Sequence, residues 1–285
     1  MTFDLPKLPA RPADGHKGTF GTVCVLGGRA DDQRVMAGGP AFAATGALRS
    51  GWGLAVLAVP TPIMAAALVI APGATGLALP VDDAGAVKPS DVAELIDQHL
   101  ASFQCLAIGP GLGTSNAAQQ VVVRLLTQDV TPMVIDADAI NCMAMLREVH
   151  LDFHCHAVLT PHPGEFKRLA DALKIHADAA DEAARPSAAQ QLAQRLGCVV
   201  VLKGRHTIIS DGLETHVNRS GNVALATAGT GDVLTGLVAG LIAQFYKPNL
   251  GSGSKQIDAK QQGGLSLMDC ARLGVHIHGA AADRW

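Results

Sequence analysis

Along the chain, short apolar runs rich in β-branched residues alternate with longer segments rich in Ala and Leu. Such runs, bounded by Gly, Pro or polar positions, are the pattern of strands buried on both faces, and the longer segments are that of the helices covering them. The pattern predicts strands at 22–26, 54–59, 105–108, 133–135, 157–159 and 198–202. A small antiparallel pair is expected at 207–210 and 214–217, with Asp211-Gly212 as its two-residue turn. Helices are expected near 40–50, 90–100, 116–126, 163–172, 188–196, 232–244 and 266–283. Repeated βα units of this kind make an α/β fold: a doubly wound, mostly parallel central sheet with helices on both faces. No internal repeat is visible, and residues 1–285 are expected to form one domain. The Gly/Ser/Lys/Gln-rich stretch 247–264 is expected to be a mobile surface loop.

Composition narrows the class. A chain of 285 residues is long enough for one large core. Only 16% of it is charged, against roughly 25% in a usual soluble domain, which suits a sheet buried on both faces and leaves room for burial between subunits. The net charge of −3, without a basic block, gives nucleic-acid binding no electrostatic support. The first twelve residues lack a signal-peptide core, and Pro60-Thr61-Pro62 breaks the most apolar stretch, so a cytoplasmic protein without a membrane span is expected. Six scattered cysteines with no CxxC pair read as reduced core residues.

Chemistry concentrates near the C-terminal third. Ala228-Gly-Thr-Gly-Asp-Val-Leu-Thr-Gly236 leads directly into an apolar helix. Glycines ahead of a helix let its backbone approach a ligand, and the first-turn amides point at any anion there. Asp232 at that turn suits two roles: a helix cap, or a base that takes a proton from a hydroxyl attacking a phosphoryl group. The residues alone leave both open. Upstream, the run Val199–Leu202 ends in Lys203-Gly204 at the mouth of the expected sheet, where a lysine can reach nucleotide phosphates. An ordinary solvated lysine at a strand end fits the same position.

Lys203-Gly-Arg-His-Thr207, Gly221-Asn222 and Ala226-Thr-Ala-Gly-Thr-Gly-Asp232 together resemble the nucleotide half of the ribokinase-like superfamily. His16-Lys-Gly-Thr-Phe-Gly-Thr22, Gly27-Gly28, Ala37-Gly-Gly-Pro-Ala-Phe-Ala-Ala44, Ala107-Ile-Gly-Pro-Gly-Leu-Gly113, Pro132-Met-Val-Ile-Asp-Ala-Asp138 and Leu159-Thr-Pro-His-Pro-Gly-Glu-Phe166 come in the right order for one branch. The set resembles the ADP-dependent NAD(P)H-hydrate dehydratase family over nearly the whole chain.

That resemblance implies a ribokinase-like fold and removal of water from the (6S) hydrate of NADH or NADPH, NADHX or NADPHX, with ADP or ATP as co-substrate. It implies hydrate contacts at Gly39, Gly111, Gly113, His162 and Asp232, with Asp232 as the catalytic base. It implies adenine-nucleotide contacts at Lys203, Gly204, Arg205, His206, Thr207, Gly229, Thr230 and Gly231. Mg²⁺ would accompany the phosphates, with Glu165 holding it through water, and His162 stands where the superfamily has an asparagine. A homotetramer is also implied. Many family members carry alanine where this chain has Gly39.

Other clusters carry less. His150, His154, Cys155 and His156 are too closely spaced to face one ion. His276 and His278 are two apart on a helical stretch and point to different faces. Asp136 and Asp138 either face substrate or Mg²⁺ or open the next helix, the reading favoured here. Gly109-Pro-Gly-Leu-Gly113 lacks the spacing of a dinucleotide fingerprint, so no hydride transfer is expected.

Overall fold

A computed structural model of the chain describes residues 5–31, 34–51, 53–248 and 264–285. The strands are β1 (Thr22–Leu26), β2 (Arg29–Asp31), β3 (Arg34–Met36), β4 (Leu54–Pro60), β5 (Thr75–Leu79), β6 (Cys105–Ile108), β7 (Met133–Ile135), β8 (Ala157–Leu159), β9 (Val199–Leu202), β10 (Ile208–Ser210) and β11 (Thr215–Val217). The helices are α1 (Gly38–Arg49), α2 (Met64–Ile70), α3 (Pro89–His99), α4 (Asn116–Leu126), α5 (Ala137–Met145), α6 (Pro163–Leu173), α7 (Arg185–Leu196), α8 (Thr230–Phe245) and α9 (Leu267–Asp283). Among the described residues, nine strands form one sheet in the order β11-β10-β9-β8-β7-β6-β1-β4-β5, in which β10 alone runs against the others.

Side chains alternate across this sheet as the period of two demands. In β1, Cys24 and Leu26 pack into a layer with α3 to α7, while Val23 and Val25 face α1, α2, α8 and α9. The same split runs through Leu106 against Ala107, Ile135 against Val134 and Val200 against Val201. Both faces are therefore apolar, which is why the strands read as continuous hydrophobic runs. Helices α1 and α8 approach closely through glycines: a Cβ on Gly236 would lie within covalent reach of the Ala43 carbonyl, and one on Gly46 would collide with that of Val233.

From β1 the chain builds outward to β4 and β5, then returns as β6 on β1's other side and continues to β9. The strand order thus reverses between β1 and β6, and ligands of open α/β sheets bind in the crevice at such a point. Gly27-Gly28, Gly109 to Gly113, Asp136, Thr160 to His162 and Lys203 all lie at the carboxyl ends that form it.

Several details differ from the sequence reading. The acidic stretch after Gly28 forms the β2–β3 hairpin. Helix α2 and strand β5 were not among the expected elements, and α5 is the helix expected to follow Asp136. The turn of the β10–β11 pair is centred on Gly212 and Leu213, because the Asp211 amide pairs with the Glu214 carbonyl, one step beyond the expected Asp211-Gly212. Of the loop expected at 247–264, residues 249–263 lie outside the described ones. All six cysteines are buried without a disulfide, and burial pushes Cys24 and Cys142 up to about 12. No described helix is long and apolar enough to cross a membrane.

Candidate active site

Two carboxylates and one lysine meet beneath the crevice. Lys203, at the end of β9, places Nζ 2.6 Å from Asp136 Oδ1 and 3.7 Å from Glu165 Oε2. Asp136 is 1% exposed, and its second oxygen accepts a 2.6 Å hydrogen bond from the Thr235 hydroxyl on α8. Burial alone would lower the Lys203 pKa, but the Asp136 and Glu165 carboxylates outweigh it and hold the ammonium charged. Lys203 is thus no solvated strand end: its charge is anchored from below. Arg185, from α7, fixes the strand end by donating from Nη2 to the carbonyls of Leu202 (3.0 Å) and Lys203 (3.2 Å). Asp136 caps α5 only by position, since its side chain makes no cap hydrogen bond. Asp136 thus opens α5 by position, as expected, and its side chain anchors the lysine.

Asp232 is different. It lies in the first turn of α8, half-buried, with no hydrogen-bond partner for its carboxylate among the described residues. Burial first, then the nearby Asp136 charge, push its pKa up to about 6, with Lys203 opposing. The helix starts from Gly229, whose φ of +92° is open to glycine, and a Cβ there would strike the Phe42 ring at 2.9 Å. In the following turn the Thr230 amide donates to the Thr227 carbonyl at 3.4 Å and the Val233 amide to the Gly229 carbonyl at 3.1 Å, while the Gly231 and Asp232 amides have no intrahelical partner and make an anion site beside the carboxylate.

On one side of Asp232 opens a cavity of about 680 Å³. Lys203, Gly204, Arg205, His206, Thr207, Thr230 and Gly231 all line it, so all the expected nucleotide residues except Gly229 come together there. His278 of α9 also lines it, and burial lowers its pKa. The sequence reading discounted this histidine, whose role depends on how α9 packs against β9. Thr230 turns its hydroxyl to the Leu225 and Thr227 carbonyls, 2.8 Å each, and serves the loop.

On the other side, Gly39 opens α1 against Asp232 and Pro110. A Cβ there would lie 3.5 Å from Asp232 Oδ1 and 3.4 Å from Pro110. Gly111 approaches Gly28 and Met36, and Gly113 lies further out, donating from its amide to Asp138 Oδ2 at 2.8 Å. His162 caps α6: its Nδ1 accepts the amides of Gly164 and Glu165, while Glu165 Oε2 accepts the His162 amide at 2.8 Å. Burial, then Lys203, lower the His162 pKa, and an accepting Nδ1 fits the neutral ring with Nε2 turned to Glu165 Oε1 at 3.3 Å. Both Glu165 oxygens thus have partners in the His162 amide and ring, with Lys203 Nζ 3.7 Å from Oε2. Among the described residues no three His, Cys, Asp or Glu side chains group as metal ligands.

A doubly wound sheet, a glycine-led helix carrying a free aspartate and a lined cavity beside it define a ribokinase-like protein. A ribokinase-like superfamily protein from Enterococcus faecalis superposes with a TM-score of 0.73 at 25% identity, covering 97% of this chain and 84% of that one. The chain belongs to the NAD(P)H-hydrate dehydratase family, whose description matches residues 23–285. The ADP/ATP-dependent NAD(P)H-hydrate dehydratase from Bacillus subtilis, co-crystallised with ATP/Mg²⁺, is similar at 30% identity and a TM-score of 0.69, covering 98% of this chain and 85% of that one. The bifunctional NAD(P)H-hydrate repair enzyme of Moorella thermoacetica is 37% identical over 281 residues, 97% of this chain and 47% of that protein. The chain spans about half the length of such bifunctional relatives.

Proposed function

We propose that this chain is an ADP-dependent dehydratase that returns the (6S) hydrates of NADH and NADPH to the reduced cofactors. The observation that carries this reading is the position of Asp232: a partnerless carboxylate, pushed up to about 6, between the nucleotide cavity and the Gly39–Pro110 turn. A carboxylate with a pKa near neutrality is suited to general-base work.

In this mechanism Asp232 takes the proton of the C6 hydroxyl, whose oxygen attacks the β-phosphoryl group of ADP. The P–O bond to AMP breaks, and the first-turn amides of α8 stabilise charge on the transferring group. The phosphorylated ring then loses inorganic phosphate from C6 and a proton from C5, which restores the dihydropyridine. Gly39, Gly111, Gly113 and His162 receive the hydrate, and Lys203 to Thr207 with Gly229 to Gly231 receive the nucleotide. Glu165 would hold Mg²⁺ through water beside the nucleotide phosphates, where the ion would offset their charge. The chain acts as a single domain in the cytoplasm and assembles as a homo-oligomer, a tetramer by family resemblance.

The test is turnover of prepared NADHX with Mg²⁺ and ADP or ATP, followed by the return of reduced-nicotinamide absorbance. Nucleotide-dependent recovery is expected. A folded, nucleotide-binding protein with no recovery would sink the reading in favour of a small-molecule kinase of the same fold.

A further inference from the structure

A second cavity, of about 640 Å³, opens beside Gly113, and its lining is unlike that of the first. Three arginines face it: Arg29 at the start of β2, Arg34 at the start of β3 and Arg168 on α6. The carboxylates at its wall are already engaged. Asp138 takes the Gly113 amide at 2.8 Å and Asn141 Nδ2 at 3.4 Å, and Asp171 pairs with Lys167 at 3.1 Å. Arg168 donates to Asn141 Oδ1 at 3.0 Å, which holds its guanidinium at the rim. Arg29 and Arg34 have no carboxylate partner among the described residues, and the Nε of Arg29 is buried with no hydrogen-bond partner. That nitrogen is closed off from solvent, so an anion in the cavity would meet the Arg29 guanidinium through its outer Nη groups.

One turn of chain links the residues beside Asp232 to the wall of this cavity. Gly39 and Pro110 meet beside Asp232, the Pro110 carbonyl accepts the Gly28 amide at 2.9 Å, and the turn runs on to Gly113, where a Cβ would lie 3.1 Å from Arg29 Nη1. Four residues of chain span at most about 14 Å, so Asp232 and the arginines lie within the reach of one molecule of dinucleotide size. Guanidinium groups bind phosphate bidentately, and an anion held there would take up the unpaired donors.

Resting on the hydrate reading above, we infer that Arg29, Arg34 and Arg168 bind a phosphate group of the dinucleotide remote from the reacting ring. That phosphate is either the pyrophosphate bridge, common to both hydrates, or the 2′-phosphate that only NADPHX carries.

The test compares Arg29→Met, Arg34→Ser and Arg168→Met with the unaltered protein, measuring KM for NADHX, NADPHX and ADP. Arg34 and Arg168 are exposed, so those two variants report even if Arg29→Met folds poorly. Removal of a charge-assisted contact should raise the hydrate KM by about tenfold, with KM for ADP held. A rise for both hydrates locates the pyrophosphate there, and a rise for NADPHX alone locates the 2′-phosphate and makes the arginines the selectivity element. Hydrate KM values within twofold throughout, or a KM for ADP that rises in step, overturn the inference. If the unaltered protein turns over no hydrate, the functional reading has failed, and NADH and NADPH are titrated by fluorescence instead. Weaker dinucleotide binding in the arginine variants then still supports the subsite, and equal binding rejects it.

Discussion

Two aspartates stand near one lysine at the carboxyl edge of the sheet, and they are held in opposite ways. Asp136, at the end of β7, is buried and saturated, one oxygen on Lys203 and the other on Thr235. Asp232, in the first turn of α8, is half-buried and has no hydrogen-bond partner among the described residues, and its proton affinity is raised by burial and by Asp136 itself. The fully paired carboxylate holds strands and helix together. The unpaired one bears the cost of incomplete solvation and becomes the group able to exchange a proton near neutral pH. Neighbouring carboxylates whose environments differ in this way divide their roles.

Asp232→Asn tests that division most severely. Loss of a general base should lower turnover by about 10³-fold, measured by recovery of NADH absorbance. The same change should raise Tm by a few degrees. Asp232 has its folded pKa above the unfolded value of 3.8, so its ionisation opposes folding. The folded state's preference for the protonated form is complete below about pH 3.8 and is lost as pH rises to about 6. Above that window the aspartate carries an unfavourable charge that asparagine lacks. A variant that lost both activity and stability would mean that Asp232 holds structure as Asp136 does.

Thr235→Val addresses the other carboxylate. It keeps the shape but leaves Asp136 without one of its two donors, at a cost of about 1.5–3 kcal/mol. Denaturant melts should register the loss, while KM for ADP holds if Lys203 stays bonded to Asp136. A fall in activity without a fall in stability would contradict the anchoring role.

The Asp136 cluster also marks the limit of what the sequence could reveal. Its partners are 67 and 99 residues away, and no local spacing brings Asp136, Lys203 and Thr235 together. The central strands were legible because both faces are buried, and the α8 start because glycines precede an apolar helix. Edge strand β5 was not, since Thr75-Gly-Leu-Ala-Leu79 is short, largely exposed and lacks a strong apolar face. The β2–β3 hairpin was read as a loop because its six strand residues are mixed in polarity and only partly buried at best. Arg185 and His278 carried no motif at all: each acts through the packing of its helix against β9. The glycine motifs could be placed on the crevice from order alone, but the division of labour between the aspartates needed three dimensions.

A pH profile sharpens the comparison with a smaller effect. With Asp232 as base, kcat/KM should be flat above about pH 6 and fall about tenfold per unit below it. The direction follows from the ionised form being the active one. A limb centred near 4 would describe an ordinary solvated carboxylate and remove the distinction from Asp136.

The smallest expected effect concerns Gly39. Although Gly39 opens α1 against Asp232, no positive φ requires glycine there, and an added Cβ would meet Pro110 at 3.4 Å and Asp232 Oδ1 at 3.5 Å, ordinary contact distances. Gly39→Ala should therefore fold normally and leave Tm within about 1 °C, since a compatible Gly→Ala change is worth at most about 1 kcal/mol either way. Its methyl would lie against the Asp232 carboxylate and withdraw a little more water from it. The acid limb of the profile should then move slightly upward, the direction burial has already taken it. A limb that moved down, or a variant that failed to fold, would show that the space around Asp232 is set by something other than the contact of α1 with the Pro110 turn.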